Sequence, residues 1–387
     1  MTKSNRVRHP GIHTLAQGAL LVTLGLSGAA QAQDFKFSGF ASLVAGRTGG
    51  ACVATDGLAP RYGSTCTRYI ADWGHGAVYD EDLALNKETR AGLQGEFKFS
   101  KQFSATAQVT ARTLKDQHLN LEWAYLSWAP TPEWKVQVGR KRMPLYYYSD
   151  FQDVGYAYNT VRPSPDVYGW DVVNYNGASL STTRSLGDWT VRGEVYTGTE
   201  KSKDNPYYTL FQDEPTEVQW SGIQGLSLEV SRDWFTGRIS YTRSDFRVRD
   251  QASGDYAELF DGSTRSKHSF FGLVLNGDWD EWQLRSEFGK ASRMNAAGYD
   301  ADFYLVTLGR QFGAFTLTGG LSAYKENSVF SIDDYVPVKL KTSTLALRYE
   351  LHKGGAVKLQ FDRVRDTSSA ALTGHARVLS VAYDMVF

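Results

Sequence analysis

The final residues of the chain alternate in polarity, and nothing else in the sequence constrains the fold so strongly. Leu379, Val381, Tyr383, Met385 and Phe387 are apolar, whereas Val378, Ser380, Ala382, Asp384 and Val386 between them are smaller and more polar. Strand side chains point to opposite faces with a period of two, so this segment carries one greasy face and one mixed face. Such a strand is at home between lipid hydrocarbon and a watery lumen, in a sheet closed into a transmembrane barrel.

The pattern recurs. Phe35, Phe37, Gly39, Ala41 and Leu43 alternate with Lys36, Ser38 and Ser42. Phe103, Ala105, Ala107 and Val109 alternate with Ser104, Thr106, Gln108 and Thr110, and Leu345, Leu347, Tyr349 and Leu351 with Thr344, Ala346, Arg348 and Glu350. Each segment is about the nine to eleven residues a tilted strand needs to cross a bilayer. Connections between such segments alternate short and long. Short turns are expected near 100–102, 130–133, 185–188, 232–233, 277–281, 312–314 and 352–355. Longer loops are expected near 48–86, 114–118, 144–170, 199–217, 248–266, 294–301, 327–337 and 368–374. Seven turns and eight loops join sixteen strands, an even number that puts both termini on the short-turn side. The last strand is expected to pair back with residues 35–47, leaving no edge unpaired in lipid. Trp134, Trp189, Trp234 and Trp282 each follow an acidic residue just after a turn, and Phe103 and Phe315 hold the same place. Aromatics at one height on strand after strand read as an interfacial girdle.

Lys3, Arg6 and Arg8 precede an apolar run over about residues 15–26 and then Ala30, Gln31 and Ala32. This is the form of a secretory signal peptide, expected to span 1–32 and leave 33–387 as a single barrel domain. Without those three cations, 39 Lys and Arg face 42 Asp and Glu, a balance that argues against a nucleic-acid partner. No stretch reaches the eighteen apolar residues of a membrane-spanning helix. In an exported chain, Cys52 and Cys66 suggest a disulfide across one loop, with two free thiols as the alternative. Only His75 lies near them, and their spacing fits no usual zinc site, so no metal is expected. Asp80, Glu81 and Asp82 read as a solvated acidic loop more readily than as a cation site. Signatures of hydrolases, metalloproteases and phosphate-binding loops are absent from the sequence, so neither a cofactor nor an enzymatic activity is expected.

Taken in order, these features resemble the sixteen-stranded porins of Gram-negative outer membranes over essentially all of 33–387. The resemblance implies a passive, water-filled diffusion channel for small hydrophilic solutes and ions. It also implies a loop after the fifth strand that folds inward as a constriction, an outer-membrane setting among lipid and lipopolysaccharide, and possible assembly as a homotrimer. Phe387 would then be the signal read by the barrel assembly machinery. Here the fifth strand, 134–143, is followed by a long loop, 144–170. Two departures stand out. The loop, starting Pro144-Leu145-Tyr146-Tyr147-Tyr148, lacks the Pro-Glu-Phe-Gly-Gly core of enteric general porins, which leaves the solute class open. The second loop, about 115–119, is short where trimeric porins commonly latch onto a neighbour, which leaves the oligomeric state open. A barrel serving as adhesin or structural scaffold without an open pore is the rival reading.

Strand alternation points Arg90, Arg112, Glu122, Arg238, Glu287, Arg348 and Asp362 inward among other charges of both signs. Arg90, Arg112, Arg140 and Arg142 form a candidate basic wall, with Asp150 and Asp153 in the loop opposite. Such a pair of surfaces would set a transverse field at the narrowest point. The alternative is that these charges pair locally. Arg140 shares the parity of Val136 and Val138, which aims it outward unless the strand bulges. Tyr147 and Tyr148 belong to an aromatic cluster with Tyr146, Phe151, Tyr156, Tyr158 and Tyr168. These rings either stack solutes or pin the loop to the wall.

Overall fold

In the computed structural model, described for residues 35–50, 68–114, 119–170, 172–211, 215–328, 336–369 and 373–387, the alternating segments are strands. The expected leader at 1–32 and the expected disulfide pair, Cys52 and Cys66, lie outside the described residues. The chain runs through β1 (Phe35–Gly50), a small hairpin of β2 (Tyr69–Asp72) and β3 (Ala77–Tyr79), then β4 (Arg90–Lys98), β5 (Phe103–Arg112), β6 (Leu119–Trp128) and β7 (Trp134–Arg142). After a long segment come β8 (Asn174–Leu186), β9 (Trp189–Ser202), β10 (Thr216–Arg232), β11 (Phe235–Asp250), β12 (Ser266–Trp279) and β13 (Trp282–Ser292). The set ends with β14 (Tyr299–Phe312), β15 (Phe315–Ser328), β16 (Lys339–His352), β17 (Gly355–Asp366) and β18 (Ala376–Val386). All but β2 and β3 join one closed antiparallel barrel of sixteen strands, with β18 returning to β1. The β2–β3 hairpin, inside the first long connection, is the one strand pair among the described residues that lies outside the barrel and that the alternation does not announce.

The two faces separate cleanly. On β17, Leu359 and Phe361 are 46% and 43% exposed, whereas Lys358, Gln360 and Asp362 between them are 0%, 3% and 1% exposed. The same contrast runs round the barrel, leaving an outer band of Leu, Val and Phe suited to lipid hydrocarbon. Closure also satisfies the backbone polar groups within the sheet, which a bilayer core demands. No helix among the described residues is long and apolar enough to cross a membrane. The crossing is made by strands.

Aromatics collect at the short-turn end. Trp134, Trp189 and Trp282 open β7, β9 and β13, Phe103 and Phe315 open β5 and β15, and Trp234 sits in the turn before β11. Phe103 stacks on Trp128 across the strand pair at 6.3 Å between ring centroids, and Phe315 on Tyr349 at 4.7 Å. Guanidiniums of Arg232 and Arg310 lie over Trp189 and Trp282 at 5.8 and 5.0 Å, amphipathic groups meeting where lipid gives way to water.

Phe387 extends the closing seam. Its N–H donates to the Gly39 carbonyl at 3.0 Å, and its own carbonyl accepts from Gly39 N–H at 2.7 Å. Deleting Phe387 removes both bonds from the one strand pair that shuts the sheet. We expect the deletion to lower the yield of heat-modifiable, folded barrel several-fold while the pores that do form keep their conductance. Normal assembly with reduced conductance would contradict this role.

Candidate functional site

Between β7 and β8 the chain leaves the sheet. Pro144, Pro163 and Pro165 cannot donate to a ladder, and two single-turn helical pieces, Ser149–Phe151 and Gly155–Ala157, coil the segment up. Its aromatics explain where it goes. The Tyr146 ring lies 4.6 Å from Tyr168 and 5.4 Å, edge on, from Phe270, while Tyr148 packs on Tyr158 at 5.4 Å and on Tyr168 at 5.8 Å. These rings join Phe303, Leu305, Trp220 and Phe246 from the wall in one apolar cluster. Tyr146, Tyr148, Tyr158 and Tyr168 are thus spent on packing. Tyr147 is only partly buried: its N–H donates to Glu287 Oε2 at 2.9 Å and its ring sits 5.7 Å from the Arg238 guanidinium.

Three charged anchors fasten the segment to inward-facing side chains. At the first, Asp153 accepts from Arg112 Nη2 at 2.7 Å and from Arg142, and Arg90 Nε donates to the Asp153 carbonyl at 2.8 Å. Glu122 on β6 sits beside them, 2.8 Å from Arg142 Nη2 and 3.4 Å from Arg112 Nη2. At the second, Arg162 donates to both carboxylate oxygens of Glu88, at 2.6 and 2.8 Å from Nη2 and Nε, to Ser380 Oγ at 2.8 Å and to Asp362 Oδ2 at 3.3 Å. At the third, Lys358 Nζ donates to the carbonyls of Gly155 and Thr160 at 2.5 and 2.9 Å. It also stands 2.9 Å from Asp384 Oδ2, and Ser42 Oγ donates to Asp384 Oδ1 at 2.5 Å. Gly155 is required here: a Cβ at that position would lie 2.0 Å from Asp384 Oδ1. Further bonds run from Val161 N–H to Gln360 Oε1 at 2.6 Å and from Ser322 Oγ to Asp166 Oδ2 at 2.7 Å.

Arg90, Arg112, Arg142 and Asp153 are therefore brought together, in direct contact, with no water gap between basic wall and acidic loop. Arg140 lies apart from them. Gly139, at φ +137°, turns the strand just before it, and Arg140 Nη1 reaches Glu200 at 2.8 and 2.9 Å. The register of β7 with β6 and β8 runs unbroken through Gly139 and Arg140, so no bulge is present there and Arg140 meets Glu200 while keeping the parity of Val136 and Val138. Arg140, Glu200, Glu122, Arg142, Asp153 and His75 line one polar cavity of about 160 Å³. Asp150 is exposed and makes no ion pair among the described residues. The sequence reading missed Glu88, Arg162, Lys358 and Glu200. For Lys358 a signal existed, since it shares the inward parity of Gln360 and Asp362.

The two loop carboxyls respond oppositely to their settings. Burial raises the Asp153 pKa, but Arg112, Arg142 and Arg90 more than offset this and hold it below the usual carboxylate range. Burial raises Asp166 above that range despite the hydrogen bonds from Ser322 and Thr342. A depressed pKa contributes stability that is complete above the unfolded value, about 4, and is lost only as pH falls through the lower folded value. A raised carboxyl pKa acts in the other sense, favouring the folded seat as pH drops. Acidification from pH 7 to about pH 4 should leave both seats in place. Channel step size is expected to hold across that range, and a loop-opening rise in conductance would contradict it.

No family model matches the sequence, and no curated protein matches it. Solved structures do. The outer-membrane channel DcaP of Acinetobacter baumannii aligns with a TM-score of 0.59 at 10% identity, covering 94% of this chain and 100% of that one. Salmonella typhi OmpF, solved with daunomycin, gives 0.58 at 12%, covering 91% and 97%. An anion-selective porin from Comamonas acidovorans gives 0.54 at 12%, covering 91% and 99%. Identities this low carry architecture alone, and on that ground the chain has the closed sixteen-stranded barrel fold of the outer-membrane porins.

Proposed function

We propose that this barrel is a porin of a Gram-negative outer membrane. It would pass small hydrophilic solutes and ions by diffusion, without energy coupling or catalysis, through a lumen narrowed by the segment between β7 and β8. One observation carries the reading. The segment is anchored to inward-facing residues of β4, β5 and β7 on one side and of β15, β17 and β18 on the other, so a solute must pass beside it. The channel and porin descriptions of the structural neighbours support the same reading.

The passage in this reading runs along β7 and β9, past the Arg140–Glu200 and Lys141–Glu194 pairs and the exposed Asp150. Cations and anions alternate there, so charge selectivity should be mild. Bilayer lipid, the assembly machinery and two further copies of the chain are its proposed partners. Reversal potentials in asymmetric KCl test the path. Arg140→Glu should shift preference toward K⁺ by severalfold, because Glu200 then loses its partner and a cation becomes an anion. An unchanged reversal potential would place the path elsewhere.

A barrel used as adhesin or scaffold is the second reading, favoured by the apolar cluster of Tyr146, Phe270, Phe303 and Trp220 inside the wall. Liposome swelling separates the two. Swelling in small sugars supports the channel, and none from folded, inserted protein supports the scaffold.

A further inference from the structure

The β2–β3 hairpin is buried on both of its faces. Tyr69, Ala71, Ala77 and Tyr79 pack on Val364 of β17 and Val378 of β18. Ile70, Trp73 and Val78 pack the other way, with Leu210 and Leu340. The Trp73 ring lies 6.1 and 6.4 Å from those of Tyr207 and Phe211 in the connection between β9 and β10. The Arg162 guanidinium stands over the Tyr69 and Tyr79 rings at 5.4 and 5.7 Å, which ties the hairpin to the segment between β7 and β8. A hairpin held this way is a fixed wall. Its polar turn, with Asp72, Gly74 and His75, closes one side of the cavity of about 160 Å³ that Arg140 and Glu200 also line.

The charges around this cavity are already matched. Arg140 meets Glu200, Arg142 meets Glu122 and Asp153, and Asp72 Oδ2 accepts from His75 Nδ1 at 2.7 Å. An ion held here would shed water without meeting an unpaired counter-charge. The groups left over are of both kinds. Arg140 Nη2, the Ser202 hydroxyl, the Gln152 carboxamide and His75 Nε2 have no hydrogen-bond partner among the described residues. A carboxylate only accepts, so Nδ1 of His75 holds the proton and Nε2 of the neutral ring is an acceptor. Donors beside acceptors suit hydroxyl groups, each of which gives one bond and takes others. Trp170 adds an apolar plate. Its ring stacks on His268 at 4.4 Å and meets Trp220 edge on at 5.8 Å, so its plane is set before any solute arrives. A plate beside such groups complements a sugar ring, whose C–H faces are apolar and whose rim is hydroxylated.

On the reading that solutes cross this barrel past Arg140 and Glu200, we propose that the cavity is a saturable binding site for one neutral monosaccharide. Trp170 carries a face of the sugar ring, and Arg140, Ser202, Gln152 and His75 take its hydroxyls. Size agrees: at about 10–15 Å³ per water-sized group, the cavity takes about a dozen, the heavy-atom count of one hexose. The lining comes from the long-loop ends of β6, β7 and β9, so a sugar is held at the entry side of the lumen. Ions pass the same wall without a seat.

The test uses the whole folded barrel in an uncharged detergent, titrated with D-glucose, D-glucuronate or D-glucosamine, with bound sugar read by saturation-transfer difference NMR. Glucose is expected to saturate in the millimolar range, as suits a ligand of about a dozen heavy atoms, and to bind severalfold tighter than either charged analogue. Trp170→Leu should weaken glucose binding at least about tenfold. Ser202→Ala with Gln152→Met leaves every ion pair in place and should weaken it severalfold. That variant supplies the measurement if Trp170→Leu folds poorly. Thr318→Val, in the separate cavity beside β15, should leave glucose affinity unchanged. Undiminished binding in both site variants, equal loss in Thr318→Val, or tighter binding of glucuronate or glucosamine than of glucose would each overturn the proposal. Bilayer currents of the unaltered protein are recorded in parallel. Current steps without glucose saturation sink the sugar site alone, and saturation without steps sinks the channel reading alone.

Discussion

Replacing Asp153 by Ala is expected to unseat the segment between β7 and β8 while the barrel itself stays folded. The Asp153 carboxylate meets Arg112 at 2.7 Å and Arg142 more closely still, with Arg90 Nε 3.8 Å away. Both close partners are nearly buried, at 8% and 5% exposure, so neither guanidinium can turn to water. After the substitution Glu122 alone is left in ion-pair contact with Arg112 and Arg142. Removing one member of a buried pair costs on the order of 3–5 kcal/mol, because a desolvated charge is left without its partner. Strand pairing does not involve Asp153, so heat-modifiable mobility in gels should be retained. Single-channel steps should become larger and noisier, and reversal potentials should move toward Cl⁻ as the arginines are uncovered. Adding Arg112→Met to Asp153→Ala should recover part of the loss, since the pair then disappears together. A quiet, unchanged channel in Asp153→Ala would mean that the aromatic cluster alone holds the segment.

Lys358→Met is the second large effect. Lys358 and Asp384 are both fully buried, and the ammonium serves two loop carbonyls as well as the carboxylate. Methionine fills the space but leaves Asp384 with only the Ser42 hydroxyl and leaves the Gly155 and Thr160 carbonyls without their donor. The expected cost is again about 3–5 kcal/mol, read as a lower denaturant midpoint for the folded barrel. Lys358→Met combined with Asp384→Leu should be milder than Lys358→Met alone, because two apolar groups replace the pair and no charge is stranded. If the double variant is the worse of the two, the pair is not the element that stabilises this wall.

The strands were legible because alternation is a local signal with a large energetic cause. Leu359, Phe361 and Arg363 must face one way and Lys358, Gln360 and Asp362 the other, whatever the neighbours are. Turn positions followed from the same signal, and the closing pair of β18 with β1 from the need to leave no edge in lipid. The anchors were not legible. Arg162 meets Glu88 and Ser380 across 74 and 218 residues of sequence, distances that only barrel closure and loop path bring to zero. Arg140 shares the parity of Val136 and Val138 in an unbroken register, yet its long side chain reaches Glu200 near the strand end, a contact that alternation alone does not announce. The tyrosine cluster was ambiguous in sequence, since packing and solute stacking ask for the same residues. Burial decides for packing at Tyr146, Tyr148, Tyr158 and Tyr168.

The central claim is an open lumen narrowed by a seated segment, and planar-bilayer recording reaches it most directly. Purified protein should give discrete, uniform conductance steps. Replacing residues 146–168 by a short Gly/Ser linker should give steps several times larger. Folded protein that inserts without any steps, or a truncated form with steps of the original size, would contradict the account.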